Sequence, residues 1–226
     1  MVRRIFVTAT DTGAGKTFVT TALLCALREA GKDVIGLKPV ASGSEGAAVN
    51  ADVSALLRAQ GMPESKASAI NIYSFDAALA PSQAAALEGE AIDPKTLLAW
   101  CQKKSAGHAI SLIEGVGGLM VPLVEDYLVS DWLSDMPDCE VILIVRARLG
   151  GINHALLTLD KLNHMGLPPR RVIINDADHV GQAMLERHQE ALIASCAGLT
   201  ELILMPYLEE SQRLASGTQQ IISSLI

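Results

Sequence analysis

Residues near the start of the chain, Thr10-Asp11-Thr12-Gly13-Ala14-Gly15-Lys16-Thr17, have the composition of a loop that binds phosphate. Glycines let backbone N–H groups turn toward phosphate oxygens, and a helix that begins after them adds the partial positive charge of its N-terminus. Lys16 would reach the β- and γ-phosphates of a nucleotide, and the Thr17 hydroxyl would coordinate Mg2+. Thr10 replaces the first glycine of the strict G-x-x-x-x-G-K-[ST] pattern, so a plain glycine turn before a core helix is the alternative.

Further polar residues follow strand-like apolar segments later in the chain. Lys38 stands before Pro39 after the second segment, Glu114 follows the apolar run at 110–113, and Asn175 follows residues 171–174. Ligands of open parallel sheets bind beyond the carboxyl ends of the strands. We therefore expect these side chains to lie near the phosphate loop, residues 10–17.

Asp52 and Glu114 are the candidate partners of Thr17 at Mg2+, because this ion prefers hard oxygen ligands. Asp52 is equally explained as an acid in the first turn of a helix, where it favours the helix dipole. Lys38 would point its ammonium toward charge that develops in phosphoryl transfer, and a solvated lysine is the alternative.

Two more segments could contact a ligand, and each also has a purely structural explanation. Leu149-Gly150-Gly151-Ile152-Asn153-His154 precedes a helix, and its backbone N–H groups would bind a carboxylate. A strand-to-helix turn capped by Asn153 is the alternative. The amide of Asn175 both donates and accepts, which suits adenine, and a turn asparagine is the alternative.

Strand-length apolar runs alternate with helical patterns along the chain. Predicted strands cover 5–8, 34–38, 110–113, 141–145, 171–174 and 202–205, and residues 70–75 are a strand or an extended segment. Predicted helices cover 17–30, 51–60, 81–88, 94–103, 153–165 and 181–197, and residues 131–133 lie in a short helix. This order predicts an α/β fold like that of P-loop NTPases. We expect a single domain over 1–226, with a doubly wound, mostly parallel sheet and helices on both faces.

The composition limits the partners. The 226 residues are 50% hydrophobic and carry a net charge of −7, which argues against nucleic-acid and anionic membrane surfaces but not against a small anionic ligand. No apolar stretch approaches the roughly 20 residues of a membrane span. The 4 cysteines are scattered and no secretion signal is evident, so we expect a cytoplasmic protein with reduced thiols.

The sequence resembles the dethiobiotin synthetase family over nearly its full length. The resemblance rests on Thr10-Asp11-Thr12 with Gly15-Lys16-Thr17, Lys38-Pro39-Val40-Ala41-Ser42-Gly43, Glu114-Gly115-Val116-Gly117-Gly118, Val121-Pro122-Leu123, Leu149 to His154, Asn175-Asp176 and Pro206. It implies a ligase of biotin biosynthesis in which 7,8-diaminopelargonate takes up CO2 as a carbamate. The carbamate attacks the γ-phosphate of ATP, and the second amine closes the ureido ring, releasing ADP and phosphate.

The resemblance also implies a role for each matching residue. Lys16 and Lys38 would be catalytic, and Thr17, Asp52 and Glu114 would hold Mg2+. The nucleotide would be bound by Thr12, Gly13, Ala14, Gly15, Lys16, Thr17, Asp52, Glu114, Gly115, Val116, Gly117, Asn175, Asp176, Met205, Pro206, Tyr207 and Glu209. The substrate would be bound by Thr10, Ser42, Gly150, Gly151, Ile152 and Asn153. A homodimer is implied, with the active site at the interface and the turn at 150–153 of one subunit receiving the substrate carboxylate.

The sequence departs from the family pattern at Ala9 and Ile203, where glycine is usual, and at Ser82, where histidine is common. These changes affect the start of the phosphate loop, the pocket for the base and one substrate contact. Three rivals remain. Cobyrinate-type amidoligases usually carry a fused glutaminase domain, and partition-type ATPase switches carry a lysine where Asp11 stands. The third rival is a paralogue that binds nucleotide without catalysis.

Overall fold

A central sheet of six parallel strands organises the computed structural model, which describes residues 2–196 and 202–207. In chain order the strands are β1 (Arg3–Ala9), β2 (Val34–Leu37), β3 (Val40–Ser42), β4 (Tyr73–Phe75), β5 (Ile110–Glu114), β6 (Pro122–Val124), β7 (Tyr127–Leu128), β8 (Cys139–Arg146), β9 (Arg171–Asn175) and β10 (Leu202–Met205). The strand order of the central sheet is β10-β9-β8-β1-β5-β2. β3 pairs in parallel with β4, and β6 pairs antiparallel with β7.

Helices connect these strands: α1 (Lys16–Glu29), α2 (Ala51–Ala59), α3 (Ala67–Ile70), α4 (Pro81–Glu88), α5 (Pro94–Ser105), α6 (Val129–Asp135), α7 (Gly151–His164) and α8 (Gln182–Ser195). From β1 the chain crosses toward the β2 edge, and from β8 it proceeds toward the β10 edge. Right-handed crossovers in opposite directions place α1 on one face of the sheet and α7 and α8 on the other. The predicted doubly wound α/β class is confirmed. No helix in the described ranges is both long and apolar enough to cross a membrane.

The register of the sheet fixes where the phosphate loop begins. β1 lies between β5 and β8, with Val7 opposite Glu114 and Ala9 opposite Ile144. All three strands are buried along most of their length, which their Val, Ile and Leu residues make favourable on both faces. The carboxyl end of β1 therefore delivers the phosphate loop beside Glu114, at the point where the chain turns toward opposite edges of the sheet.

Most elements differ from the sequence prediction by one or two residues at their ends, and the segment at 70–75 differs by three. Within the segment at 70–75, for which a strand or an extended segment was predicted, the strand begins only at Tyr73, because Ile70 ends α3 and the Asn71 side chain donates to the Lys38 carbonyl at 2.7 Å. The helix predicted from Asn153 begins two residues earlier, at Gly151. The helix predicted to end at 197 ends at Ser195. The short pairs β3–β4 and β6–β7 were not predicted as paired strands, because their pairing depends on residues distant from each short segment.

Candidate active site

A cavity of about 650 Å³ lies at the carboxyl ends of β1, β2 and β5. We call it the main cavity. Its lining residues are Thr12, Gly13, Gly15, Lys16, Thr17, Lys38, Ser42, Asp52, Ala78, Leu79, Ala80, Pro81, Val116, Gly117 and Val121. The structure thus brings the phosphate loop together with Lys38, Ser42 and Asp52, as the sequence predicted.

The phosphate loop has a backbone shape that a plain turn does not require. Gly15 caps the N-terminus of α1 with a φ of 99°, in the left-handed region. A Cβ atom at Gly15 would lie 2.2 Å from Nδ2 of Asn175. The same Nδ2 donates a hydrogen bond to the Ala14 carbonyl at 2.9 Å, so β9 holds the loop from one side. The loop therefore presents the start of α1 to the main cavity.

The side chain of Lys16 extends back over the phosphate loop, and the residue is only 7% exposed. Its Nζ donates to the Gly117 carbonyl at 2.6 Å and lies 3.4 Å from the Asp11 carbonyl. Burial, followed by the nearby charge of Lys38, lowers the pKa of Lys16 to about 8. Lys16 is therefore still mainly protonated at neutral pH, but it loses its proton far more readily than an ordinary lysine.

Four side chains form a second group, which we call the carboxylate cluster: Thr17, Lys38, Asp52 and Glu114. Lys38 Nζ lies 2.7 Å from Glu114 Oε1 and 3.1 Å from Asp52 Oδ2, and it also donates to the Gly115 carbonyl at 3.1 Å. Lys38 is 2% exposed and Glu114 is fully buried. The alternative of a solvated Lys38 is therefore wrong.

The charges of the cluster stabilise one another. Burial by itself lowers the pKa of Lys38, but Glu114 and Asp52 outweigh that effect and raise the pKa above its usual range. Burial likewise acts to raise the pKa of Asp52, but Lys38 and the Thr17 hydroxyl outweigh it and hold the pKa below its usual range. Lys38 and Asp52 are therefore both charged at neutral pH.

Oxygen atoms of the carboxylate cluster also fit a divalent cation. The Thr17 hydroxyl lies 2.7 Å from Asp52 Oδ1 and 2.8 Å from Glu114 Oε1. Glu114 Oε2 is buried and has no hydrogen-bond partner in the described part of the chain. A buried acceptor without a partner is costly, and a bound Mg2+ or a water in its shell would satisfy it. Two carboxylates and one hydroxyl therefore converge here. Among the described residues there is no group of three or more acidic, histidine or cysteine side chains that could hold a metal, so the Thr17 hydroxyl and the nucleotide phosphates would have to complete the ligand set.

The local structure of α2 explains how Asp52 reaches this cluster. The Asn50 side chain caps the helix by accepting a hydrogen bond from the Asp52 N–H at 3.0 Å. Asp52 lies in the first turn of α2, as the helix-dipole interpretation required. Its carboxylate nevertheless contacts Thr17 and Lys38, so the two interpretations of Asp52 are compatible.

A second cavity of about 130 Å³ lies on the other side of the phosphate loop. It is lined by Gly15, Phe18, Asn175, Asp176, Ala177, Pro206 and Tyr207. Asn175 is the buried last residue of β9, so the alternative of a turn asparagine is wrong.

Asp176 has a defined structural role beside this cavity. Its two carboxylate oxygens accept hydrogen bonds from the N–H groups of Val180 and Gly181 at 2.8 and 2.9 Å. The Asp176 N–H donates to the carbonyl of Met205, which is buried at the end of β10. These bonds shape one wall of the second cavity. Glu209, the other residue predicted on this side, lies outside the described residues.

The turn at 150–153 lies away from the main cavity of its own chain. Gly150 precedes α7 with a φ of 83°, and a Cβ atom at Gly151 would lie 2.4 Å from the Arg146 carbonyl. Asn153 lies inside α7 and is exposed, so it is not the helix cap. Ile152 is partly buried against the core. A single chain therefore does not bring this turn to Lys38.

Thr10 does not line the main cavity but lines a third cavity, of about 320 Å³. It is lined by Thr10, Asp11, Thr12, Gly118, Leu119, Met120, Val121, Leu157, Thr158 and Lys161. It shares Thr12 and Val121 with the main cavity. The two cavities therefore adjoin each other along the phosphate loop.

Sequence reasoning missed two arginines that lie beside the phosphate loop. Arg148 forms an ion pair with Asp11 of the loop. Arg146 pairs with Asp178, with Nε 2.7 Å from Oδ2, and its Nη1 would lie 3.0 Å from a Cβ atom at Gly13. Both arginines follow the apolar part of β8, so the strand-end rule that selected Lys38 and Glu114 would also have selected them.

Comparisons with known proteins place the chain in a family. A family described as AAA domain matches residues 3–214. The ATP-dependent dethiobiotin synthetase BioD of Anaeromyxobacter dehalogenans is 35% identical over 225 residues, covering 100% of this chain and 99% of the relative. The ATP-dependent dethiobiotin synthetase BioD 1 of Salmonella typhi is 40% identical over 223 residues, covering 97% of this chain and 93% of the relative.

Solved structures support the fold independently. The septum site-determining protein MinD of Pyrococcus horikoshii, complexed with Mg-ADP, has a TM-score of 0.57 at 18% identity, covering 100% of this chain and 96% of that one. A ParA family ATPase from Chlorobium tepidum has a TM-score of 0.55 at 14% identity, covering 99% of this chain and 92% of that one. These likenesses show the fold alone. The sequence relatives, matched over nearly their whole length, show that the chain belongs to the family of ATP-dependent dethiobiotin synthetases.

Proposed function

We propose that this enzyme carboxylates 7,8-diaminopelargonate with CO2 and closes the ureido ring of dethiobiotin, using ATP and Mg2+, in biotin biosynthesis. The observation that carries the proposal is the main cavity. There the phosphate loop with Lys16 and Thr17, together with Lys38 and Asp52, lines one space of about 650 Å³, and the buried Glu114 contacts Thr17 and Lys38. The substrate is inferred from membership of the family, and the side chains of the main cavity suit the proposed reaction.

In the proposed reaction, a carbamate on one amine of the substrate attacks the γ-phosphorus of ATP through an oxygen. ADP leaves, and a carbamic-phosphoric anhydride remains. The second amine then attacks the anhydride carbon, phosphate leaves and the amine gives up a proton. Phosphoryl transfer of this kind depends on positioning and on neutralising charge more than on covalent help from the protein.

Lys16 and Lys38 supply the positive charge for the first step. Lys16 follows the left-handed Gly15 at the start of α1, where exposed N–H groups favour phosphate oxygens. Lys38 follows β2 and lines the main cavity together with Ser42, which supports a role in holding the carbamate and the transferring phosphoryl group. Thr17, Asp52 and Glu114 would hold Mg2+, which neutralises phosphate charge when bound.

The second cavity is proposed to hold the adenine and ribose. It adjoins the phosphate loop at Gly15, and Asn175 stands in its wall. The Nδ2 group of Asn175 is bonded to the Ala14 carbonyl, so its Oδ1 is the atom suited to accept from the base. Pro206 and Tyr207 supply an apolar surface beside the ring.

A homodimer completes the proposed substrate site. Leu149, just before the turn at 150–153, is fully exposed. Leu157 and Met120, which both line the third cavity, are 63% and 55% exposed. Large exposed apolar side chains grouped in this way favour a protein interface. Pairing of two copies through this surface would bring the turn at 150–153 of one copy to the active site of the other.

The proposal includes a cytoplasmic location. All of Cys25, Cys101, Cys139 and Cys196 are free thiols, which is usual in a reducing compartment.

Mass-spectrometric detection of dethiobiotin tests the proposed function directly. The purified protein is mixed with 7,8-diaminopelargonate, bicarbonate, ATP and Mg2+, and each component is omitted in turn. We expect product only when all are present. Hydrolysis of ATP without dethiobiotin, at any substrate concentration, would reject the proposed reaction while leaving nucleotide binding intact.

A further inference from the structure

The third cavity has an apolar wall and one charged end. Leu119, Met120, Val121 and Leu157 provide the apolar side chains, and Thr158 and Lys161 provide polar groups from α7. Leu157 and Lys161 are four residues apart on the helix, so they lie on the same face of α7. A ligand suited to this cavity would combine a hydrocarbon segment with a negative group near Lys161.

Lys161 carries the unbalanced charge of this cavity. It is partly buried and makes no ion pair with any residue that the structure describes. The acid of the cavity, Asp11, is occupied by Arg148 and by the Thr12 N–H. Because Asp11 is already neutralised, the ammonium of Lys161 leaves the cavity favourable to an anion.

The third cavity adjoins the main cavity at Thr12 and Val121, which line both. The substrate of the proposed reaction has its two amines at one end of a hydrocarbon chain and its carboxylate at the other. With the amines beside Lys38, the chain can pass Val121 and enter the apolar part of the third cavity.

We propose, building on the proposed function, that Lys161 binds the substrate carboxylate and selects for a diamine that carries this group. Lys161 acts on binding and not on the chemical step, because it lies at the far end from the reacting amines. In a homodimer the turn at 150–153 of the second copy would add N–H groups to the same carboxylate. A purely structural role is the competing explanation, since Lys161 stands in the last turn of α7, where a cation favours the helix dipole.

The test compares Lys161→Met with Lys161→Arg, and each with Lys103→Met. Lys103 is an exposed lysine in the last turn of α5, so its replacement removes a matching helix-end charge away from all three cavities. Dethiobiotin formation is measured with 7,8-diaminopelargonate and, in parallel, formation of the ester product is measured with its methyl ester. The dissociation constant for Mg-ATP is measured for each variant.

We expect Lys161→Met to raise the KM for the acid about tenfold, the effect of one charge-assisted contact. Its kcat, its KM for the ester and its affinity for Mg-ATP should match the wild type. Lys161→Arg should restore most of the KM for the acid, and Lys103→Met should change nothing. An unchanged KM for the acid, or an equal rise for acid and ester, would overturn the role of Lys161. Absence of product from the wild type would instead reject the proposed reaction, and this inference with it.

Discussion

Replacing Lys38 by methionine removes the cation of the carboxylate cluster while nearly preserving its volume. Lys38 and Glu114 are buried, with side chains 2% and 0% exposed, whereas the Asp52 side chain remains 44% exposed. Breaking a buried ion pair from one side costs about 3–5 kcal/mol, because the remaining charge is left without compensation. Since Asp52 can be hydrated, Glu114 is the main source of the cost, and we expect a loss near the lower limit, about 3 kcal/mol.

Equilibrium unfolding in urea, followed by circular dichroism in the absence of ligands, measures this loss. A typical domain is stable by about 5–15 kcal/mol, so the Lys38→Met variant should remain folded but unfold at a lower urea concentration. The double variant Lys38→Met/Glu114→Gln removes the uncompensated carboxylate and should regain most of the stability. It should not regain dethiobiotin formation, which we expect to fall by about 10²–10³-fold in both variants.

Lys103→Met serves as the matched control, because Lys103 is exposed on α5. Its free energy of unfolding should stay within about 0.5 kcal/mol of the wild type. A Lys38→Met variant that is equally stable would refute the argument from burial. A double variant no more stable than Lys38→Met would show that Glu114 is not the source of the cost.

Three further predictions concern the phosphate loop and its surroundings. Gly15→Ala places a Cβ atom 2.2 Å from Asn175 Nδ2 at a residue whose φ is 99°, so the phosphate loop must distort. Titration calorimetry should show at least a tenfold loss of Mg-ADP affinity, and an affinity equal to that of the wild type would contradict this geometry. Because the pKa of Lys16 is lowered to about 8, Mg-ADP binding should take up a proton and weaken tenfold per pH unit above that value, whereas a flat profile would show that its charge is unimportant. Asn175→Asp should weaken Mg-ADP binding, because a carboxylate oxygen would then face the Ala14 carbonyl to which the amide now donates. Thermal unfolding with and without Mg-ADP measures this loss, and a ligand-induced shift equal to that of the wild type would contradict it.

The sequence predicted the main features of this fold because they depend on local patterns. Strands of the central sheet are near-continuous apolar runs, and the helices between them have regular spacing, so both were predicted within a few residues. The segment at 70–75 was the exception. Ile70 and Ile72 suggest a strand, but the Asn71 amide bonds the carbonyls of Lys38 and Tyr73, and only Tyr73–Phe75 pairs with β3.

The candidate site was predictable to the extent that its residues follow strands. Lys38 and Glu114 were both selected by position, yet only the three-dimensional structure shows them 2.7 Å apart in a buried pair. Arg148 was not selected although it follows the end of β8, and its pairing with Asp11, 137 residues away in the chain, is not visible in any local pattern. A single sequence does not reveal which of the candidate side chains are buried, nor which side chains from distant segments form pairs.

The carboxylate cluster and Lys16 together hold two cations, Lys16 and Lys38, and two anions, Asp52 and Glu114, so their formal charges cancel. A neutral group of this kind exerts little net field on separate ions in solution. Free phosphate would have to draw Lys38 away from its carboxylates, and a free metal ion would have to displace Lys38 from them. A magnesium nucleotide brings an anion for the lysines and a cation for the carboxylates at the same moment. Because of this internal pairing, we expect the site to bind the magnesium nucleotide with higher affinity than either free phosphate or the free metal ion.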